Sequence, residues 1–220
     1  MPSPAVEDYL KAIFHLSREG GAAGTSAVAD RLGVTAGSVT GMLKRLAEQG
    51  FVEHVPYYGA RLTASGEERA LATIRRHRIL ELFLVEVLGY SWDEVHEEAE
   101  RLEHSASSRL IERMSEVLGA PESDPHGAPI PSPEGMLREQ PYPSLAEMDA
   151  GAHAVLRRVS DEDPEALRYL AAMGLRPGTE IEVLERAPFE GPLRVRIGGS
   201  EGAEQMLGRR FAATLRVEPI

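Results

Sequence analysis

Apolar residues recur at helical spacing through the first part of the chain. Tyr9, Leu10, Ile13, Phe14 and Leu16 predict a helix from about Pro4 to Arg18. Gly20 to Gly24 is a loop. Thr25 or Ser26 caps a short helix through Ala29 and Leu32, which Gly33 ends. Thr35 caps the next helix, with Val39, Leu43, Leu46 and Ala47 turned inward until Gly50. Two short helices around a tight glycine turn match the helix-turn-helix pattern. The period then changes from helix to strand. Phe51–Val55 and Ala60–Thr63 read as two strands joined by a Pro56–Gly59 turn, which makes a wing. A long helix opens at Thr63-Ala64-Ser65-Gly66-Glu67 and runs to about Leu88, where Gly89 stops it. Ser91-Trp92-Asp93-Glu94 is a capping box for a helix bearing His96 to His104. Leu110, Ile111, Met114, Val117 and Leu118 mark one further amphipathic helix.

From Pro121 to Pro143 the texture breaks. Seven of the fifteen prolines fall there, so this stretch reads as a linker or irregular connection. Beyond Gly151, four segments alternate or run apolar between Gly and Pro: His153–Val159, Thr179–Leu184, Leu193–Ile197 and Thr214–Val217. Asp163-Pro164-Glu165 begins a short helix through Leu170 and Met173. The expected fold is α+β and multidomain. A winged helix-turn-helix domain spans 1–64, an all-α domain 65–120, a Pro-rich linker 121–149 and a small β-barrel 150–220.

Composition narrows the class. The chain has 220 residues and no cysteine, so disulfides and thiolate ligands are excluded. No apolar run is long enough to span a bilayer, and the first residues lack the blocks of a signal peptide. A cytoplasmic protein without membrane contact is expected. The net charge of −11 argues at first against nucleic acid. Its distribution changes that. Residues 71–150 alone carry sixteen acidic and seven basic side chains, whereas residues 1–70 are near neutral. Divalent cations in the middle segment would offset part of its charge.

That acidic segment also holds His77-Arg78-Ile79-Leu80-Glu81 and His96-Glu97-Glu98-Ala99-Glu100-Arg101-Leu102-Glu103-His104. Positions three and four apart share a helix face, so His77 joins Glu81, His96 joins Glu100, and Glu100 joins Glu103 and His104. Imidazole and carboxylate without thiolate suit Mn(II), Fe(II), Co(II) or Zn(II), with hard oxygen donors favouring the earlier metals. A solvated, charge-rich helix surface is the alternative. Enzyme motifs fail: the zinc-protease pattern starting at His96 has Glu100 where it needs His, and no paired di-iron motif is present. The second helix of the helix-turn-helix would enter a major groove with Thr35, Gly37, Ser38 and Thr40, beside Ala36 and Gly41. Lys44 and Arg45, with Arg31 and the wing residues Tyr58 and Arg61, would meet phosphates. None of the base-facing residues is a bidentate reader, so DNA shape, methyl contacts and dimer spacing would carry specificity.

Taken in order, these elements resemble the diphtheria toxin repressor family of metal-dependent transcription regulators, to which the manganese transport regulators belong. Arg76-His77-Arg78, Val95-His96-Glu97-Glu98-Ala99 and Glu103-His104 carry the resemblance. Met173-Gly174-Leu175-Arg176-Pro177-Gly178 and Leu207-Gly208-Arg209-Arg210 look like the SH3-like, FeoA-type domain of its longer members. The resemblance implies two metal positions per subunit. One would use His77, Glu81 and His96, completed from the barrel by Asp163, or by Glu162 or Glu165. The other would use Asp8, Glu100, Glu103 and His104. Asp and Glu at positions 8 and 100 are the manganese-sensing pattern, where the iron-sensing branch has Met and Cys. Mn(II) is therefore the expected cofactor and Fe(II) the alternative. Lys11 departs from the short manganese regulators, which place a Glu ligand there, and argues against their paired-metal arrangement. The resemblance implies a homodimeric repressor on a palindromic DNA operator, with Leu80, Leu84, Leu88, Leu110 and Met114 offering a dimer face. A metal-storage or chaperone module, or a winged-helix regulator with an organic ligand, stands as the alternative.

Overall fold

The computed structural model describes residues 3–55 and 59–220. Its contacts form two compact units. The first comprises the chain through His77 with Leu102–Ile111 and Pro131–Leu137; the second comprises Arg78–Arg101, Glu112–Ile130 and Arg138–Ile220.

In the first unit, α1 (Pro4–Gly20) starts on a proline, whose missing N–H costs nothing in a first helical turn. It buries Val6, Tyr9, Leu10, Ile13 and Phe14. These pack with Val28 and Ala29 of α2 (Thr25–Leu32) and with Val39, Leu43 and Leu46 of α3 (Ala36–Glu48). Thr35 caps α3, its Oγ1 accepting from the Ser38 N–H at 3.2 Å. β1 (Val52–Val55) and β2 (Gly59–Leu62) pair antiparallel, Val52 opposite Leu62. The wing tip predicted at Pro56 to Tyr58, including the candidate contact Tyr58, lies outside the described residues. Gly59 is required where it stands: its φ is +113°, and a Cβ there would lie 1.9 Å from the Ala23 carbonyl oxygen. That close approach lets Ala23 and Ala60 exchange backbone hydrogen bonds of 2.8 and 3.0 Å, pinning the wing to the loop before α2. The first turns of α4 (Ala64–Glu86) add Ala70, Leu71 and Ile74 to the same core.

The helix after Ser91 departs from expectation at its end. α5 runs Val95–Leu102, so Glu103 and His104 sit in a turn beyond it rather than on its face. The amides of Ser105 and Ala106 close back on Leu102, and Arg76 Nε donates to the Glu103 carbonyl at 3.0 Å. α6 (Ser108–Val117) buries Ile111 but leaves Leu110 and Val117 exposed. Of the residues expected on a dimer face, Leu80 and Leu84 are core of this chain, while Leu88 and Leu110 are exposed.

The second unit is built on a five-stranded antiparallel sheet in the order β6-β5-β4-β3-β7. Its strands are β3 (His153–Arg158), β4 (Glu180–Arg186), β5 (Leu193–Ile197), β6 (Ala203–Leu207) and β7 (Arg216–Pro219). Period-two burial places Ile181 and Val183 of β4, and Leu193, Val195 and Ile197 of β5, on the inner face. They meet Leu167 and Leu170 of α7 (Pro164–Ala172), with Leu175 and Leu215. Between β6 and β7 lies one helical turn, α8 (Arg209–Ala212). β6 lies outside the strands expected from the sequence. It is an edge strand that buries only Leu207, so it carries no alternation. No pairing closes the sheet into a barrel among the described residues. The outer edge of β7 is occupied instead by residues 143–145: Val217 N–H donates to Pro143 (3.0 Å) and Leu145 N–H to Leu215 (2.9 Å). The Pro-rich stretch is no free tether either, for Asp124, His126, Ala128 and Ile130 are all buried.

Candidate metal centres

In the first unit, three segments bring charge to one place. Asp8 and Lys11 come from α1, Arg76 and His77 from α4, and Glu103 and His104 from the turn after α5. His104 Nε2 lies 2.9 Å from Asp8 Oδ1 and 3.5 Å from Glu103 Oε1. Ligand atoms of Asp8, Glu103 and His104 all fall within 4.8 Å of one another. Glu103 has no exposed surface. Its Oε1 accepts from Lys11 Nζ at 2.8 Å and its Oε2 is 2.7 Å from His77 Nδ1. Burial alone would raise its pKa, but His77 and Lys11 outweigh that and hold it below the ordinary carboxylate value. The ion-pair partner of Lys11 is thus the Glu103 carboxylate of the candidate site. His77 lies one turn before Glu81 on α4, as its spacing predicts, and its Nδ1 is the nitrogen that meets Glu103 in this unit.

The second unit assembles another cluster. His96 Nδ1 is 3.2 Å from Glu81 Oε1 and 3.5 Å from Asp161 Oδ2, and its Nε2 is 3.8 Å from Glu100 Oε1. Burial lowers the His96 pKa, but the carboxylates of Asp161 and Glu81, which accept hydrogen bonds from its ring, outweigh it and lift it to about 10. Asp163, nearest to the expected barrel ligand, is spent elsewhere: its Oδ1 caps α7, accepting from the Glu165 and Ala166 amides at 2.9 and 3.2 Å. Asp161, two residues earlier, is the acid that reaches His96. Glu162 and Glu165 are not among the residues gathered there.

Beside Glu81 lie two further residues absent from the sequence-derived set, Asp124 and His126. Ligand atoms of the three buried side chains fall within 4.8 Å of one another. His126 Nε2 donates to the Trp92 carbonyl at 2.7 Å, and its ring stacks on Trp92 at 5.6 Å. That leaves Nδ1 buried without a hydrogen-bond partner. Asp124 Oδ1 accepts from the His126 and Ala128 amides, both at 2.9 Å, while Oδ2 faces Arg78 Nε at 3.5 Å. Burial, then the Glu81 charge, pushes the Asp124 carboxyl up to about 6. Gly127 makes the turn possible: its φ is +85°, and a Cβ there would lie 1.8 Å from the Arg157 carbonyl oxygen. A buried imidazole nitrogen with no donor and a carboxyl raised by burial are groups that fit a divalent cation. The Asp-x-His signal was present in the sequence but sat inside a stretch dominated by prolines.

The candidate DNA-contact residues share the first unit. Arg31, Thr35, Gly37, Ser38, Thr40, Lys44, Arg45 and Arg61 are all exposed. Thr35 and Ser38 share a hydroxyl hydrogen bond of 2.9 Å, and Thr40 Oγ1 donates back to the Ala36 carbonyl at 2.9 Å. Arg61 Nε donates to the Gly21 carbonyl at 3.0 Å. Among the described residues, no helix is long and apolar enough to cross a membrane.

Comparison with known proteins gives the same organisation. Residues 1–60 match the iron dependent repressor N-terminal DNA binding domain. Residues 63–132 match the iron dependent repressor metal binding and dimerisation domain, and residues 144–219 the FeoA domain. The chain is 30% identical over 226 residues to the iron-dependent repressor IdeR of Mycobacterium tuberculosis, covering 97% of this chain and 96% of that one. It is 33% identical over 118 residues to the HTH-type transcriptional regulator MntR of Oceanobacillus iheyensis, covering 54% and 80%. A solved structure described as a manganese-dependent transcriptional repressor complex with manganese superposes with a TM-score of 0.89 at 41% identity, covering 98% of this chain and 100% of that one. The chain belongs to the iron-dependent (diphtheria toxin) repressor family, whose members are metal-dependent, DNA-binding transcriptional repressors and not enzymes.

Proposed function

We propose that this chain is a homodimeric, cytoplasmic repressor that takes Mn(II), with Fe(II) as the alternative, at two positions per subunit and then holds a palindromic operator. One observation carries the reading: Asp8 projects from α1 onto Glu103 and His104 within one compact unit. α1 is also core of the winged helix, packed on α2 and α3. Whatever fixes Asp8 therefore fixes the helix pair that presents Thr35, Ser38 and Lys44.

The first position would be held by Asp8, Glu103 and His104, with Glu100 the further oxygen donor offered by its spacing. The second would be held by Glu81, His96 and Asp161 with Asp124 and His126, and His77 lies one turn before Glu81 on α4. A bound divalent cation supplies the positive charge that lets these carboxylates converge. Every donor is oxygen or imidazole nitrogen, which favours Mn(II) over softer metals. The manganese-dependent repressor at TM-score 0.89 supports that choice; the iron-dependent relatives keep Fe(II) as the alternative. The proposed domains are a winged helix over 1–64, a dimerisation and metal-binding domain over 65–120, a connection over 121–149 and the FeoA-type domain over 150–220. Two recognition helices of a dimer would meet successive major grooves about 34 Å apart.

A gel-shift titration of an operator fragment with and without Mn(II) tests this. Metal-dependent retardation, reversed by EDTA, is the expected result. DNA binding unchanged by EDTA rejects the switch and favours an organic effector. Tight metal binding without any DNA binding favours a storage module.

A further inference from the structure

We propose that Glu7, held by Arg76, is the positioning residue of the first metal position: it fixes the His104 ring so that Nε2 is presented to the cation. The inference rests on the reading of Asp8, Glu103 and His104 as ligands.

Glu7 and Asp8 are consecutive on α1 and so leave the helix in different directions. Both reach His104, but at different nitrogens. Glu7 Oε2 is 2.8 Å from Nδ1, and Asp8 Oδ1 is 2.9 Å from Nε2. The two ring nitrogens point away from one another, so these carboxylates lie on opposite sides of the imidazole. Glu103 Oε1, at 3.5 Å from Nε2, lies on the Asp8 side. When Nδ1–H donates to Glu7, the nitrogen left to face the other two ligands is Nε2.

Glu7 is itself fixed. Arg76 Nη2 lies 2.8 Å from Glu7 Oε1 and donates to Thr73 Oγ1 at 3.1 Å, while its Nε holds the Glu103 carbonyl at 3.0 Å. One guanidinium thus anchors both the carboxylate behind the ring and the backbone just before it. The fork geometry suits arginine and not lysine. Both Glu7 oxygens are engaged this way, which makes Glu7 a support and not a ligand. A carboxylate behind a ligating histidine fixes ring orientation and tautomer, and its removal costs about 10–100-fold in metal affinity.

The test uses the full-length protein. Mn(II) is titrated against a fluorescent chelator, and the His104 ring nitrogens are followed by long-range 15N–1H spectroscopy of the metal-free protein. H104A first identifies the equivalent bound at this position; if no equivalent is lost, the ligand reading itself falls. With that equivalent identified, E7A is expected to weaken it by about 10–100-fold, leave the other equivalent unchanged, and lose the Nδ1–H tautomer. E7Q, which keeps an acceptor for Nδ1–H, is expected to recover most of the affinity. Wild-type affinity in E7A, or an unaltered His104 tautomer, overturns the proposal. Should E7A fail to fold, E7D decides: it draws the carboxylate one methylene away from Nδ1, and unchanged affinity overturns the proposal.

Discussion

Asp124→Asn separates the stability of the second cluster from its metal chemistry, because the two should move in opposite directions. Asp124 is buried, and burial followed by the nearby Glu81 charge raises its carboxyl from 3.8 to about 6. At pH 8 the metal-free protein therefore holds an ionised group it disfavours. A displacement of that size corresponds to roughly 3 kcal/mol between protonation states. Asn keeps the oxygen that accepts from the His126 and Ala128 amides. It meets Arg78 Nε with an amide donor, which takes back part of the gain. The metal-free variant should be more stable than wild type at pH 8 by about 1–3 kcal/mol, or about 2–10 °C in melting temperature for a chain of this size. The sign with pH follows. Between about pH 4 and 6 the folded protein holds a proton here that the unfolded chain has released. Wild-type stability from this group falls as pH rises through that window, and the advantage of the variant should vanish near pH 4. Metal works the other way. At 100 times the Kd, a site stabilises by about 2.7 kcal/mol, and the variant should lose that increment at this position. The assay is thermal melting in EDTA and in excess Mn(II), at pH 8 and pH 4. A variant less stable than wild type in EDTA at pH 8, or an equal Mn(II) increment in both proteins, refutes the reasoning.

Three further outcomes follow from the same geometry. Glu100→Cys, which introduces a soft donor, should shift the metal ranking in gel shifts from Mn(II) toward Fe(II) and Zn(II); an unaltered ranking removes Glu100 from the ligand set. Gly127→Ala forces a Cβ against the Arg157 carbonyl at a positive φ, so it should cost more than about 1 kcal/mol and abolish the second metal equivalent in equilibrium dialysis. Lys44→Ala should weaken DNA binding uniformly across operator sequences and reduce the salt slope of the log affinity by about 1, whereas a change confined to one base position would make Lys44 a base reader.

The local elements were legible because each is encoded by short-range signals. The Thr35 cap and the Asp163-Pro164 start of α7 stand where the spacing puts them. The expected Ser91–Glu94 capping box does not: α5 begins only at Val95, beyond a turn, and Ser91 Oγ donates to the Glu94 side chain at 2.8 Å. The edge strand β6 was not legible, since an edge that buries one residue leaves no period. The end of α5 was not legible either. Nothing near Glu103 in the chain announces that Arg76, 27 positions away, takes its carbonyl.

The sequence by itself determined the kinds of donor available, the acidic middle segment and the order of winged helix, helices and sheet. These depend on composition and on contacts a few residues apart. Only the tertiary structure decided which donors meet. It turned His77 Nδ1 to Glu103, gave Lys11 the same carboxylate, put Asp161 in the place where Asp163 was expected, and brought Asp124 and His126 out of a proline-rich stretch to Glu81. A local rule that spends one acid on a helix cap frees its neighbour for a cluster. That choice depends on packing between distant segments, such as Gly127 against Arg157, and no sequence period records it.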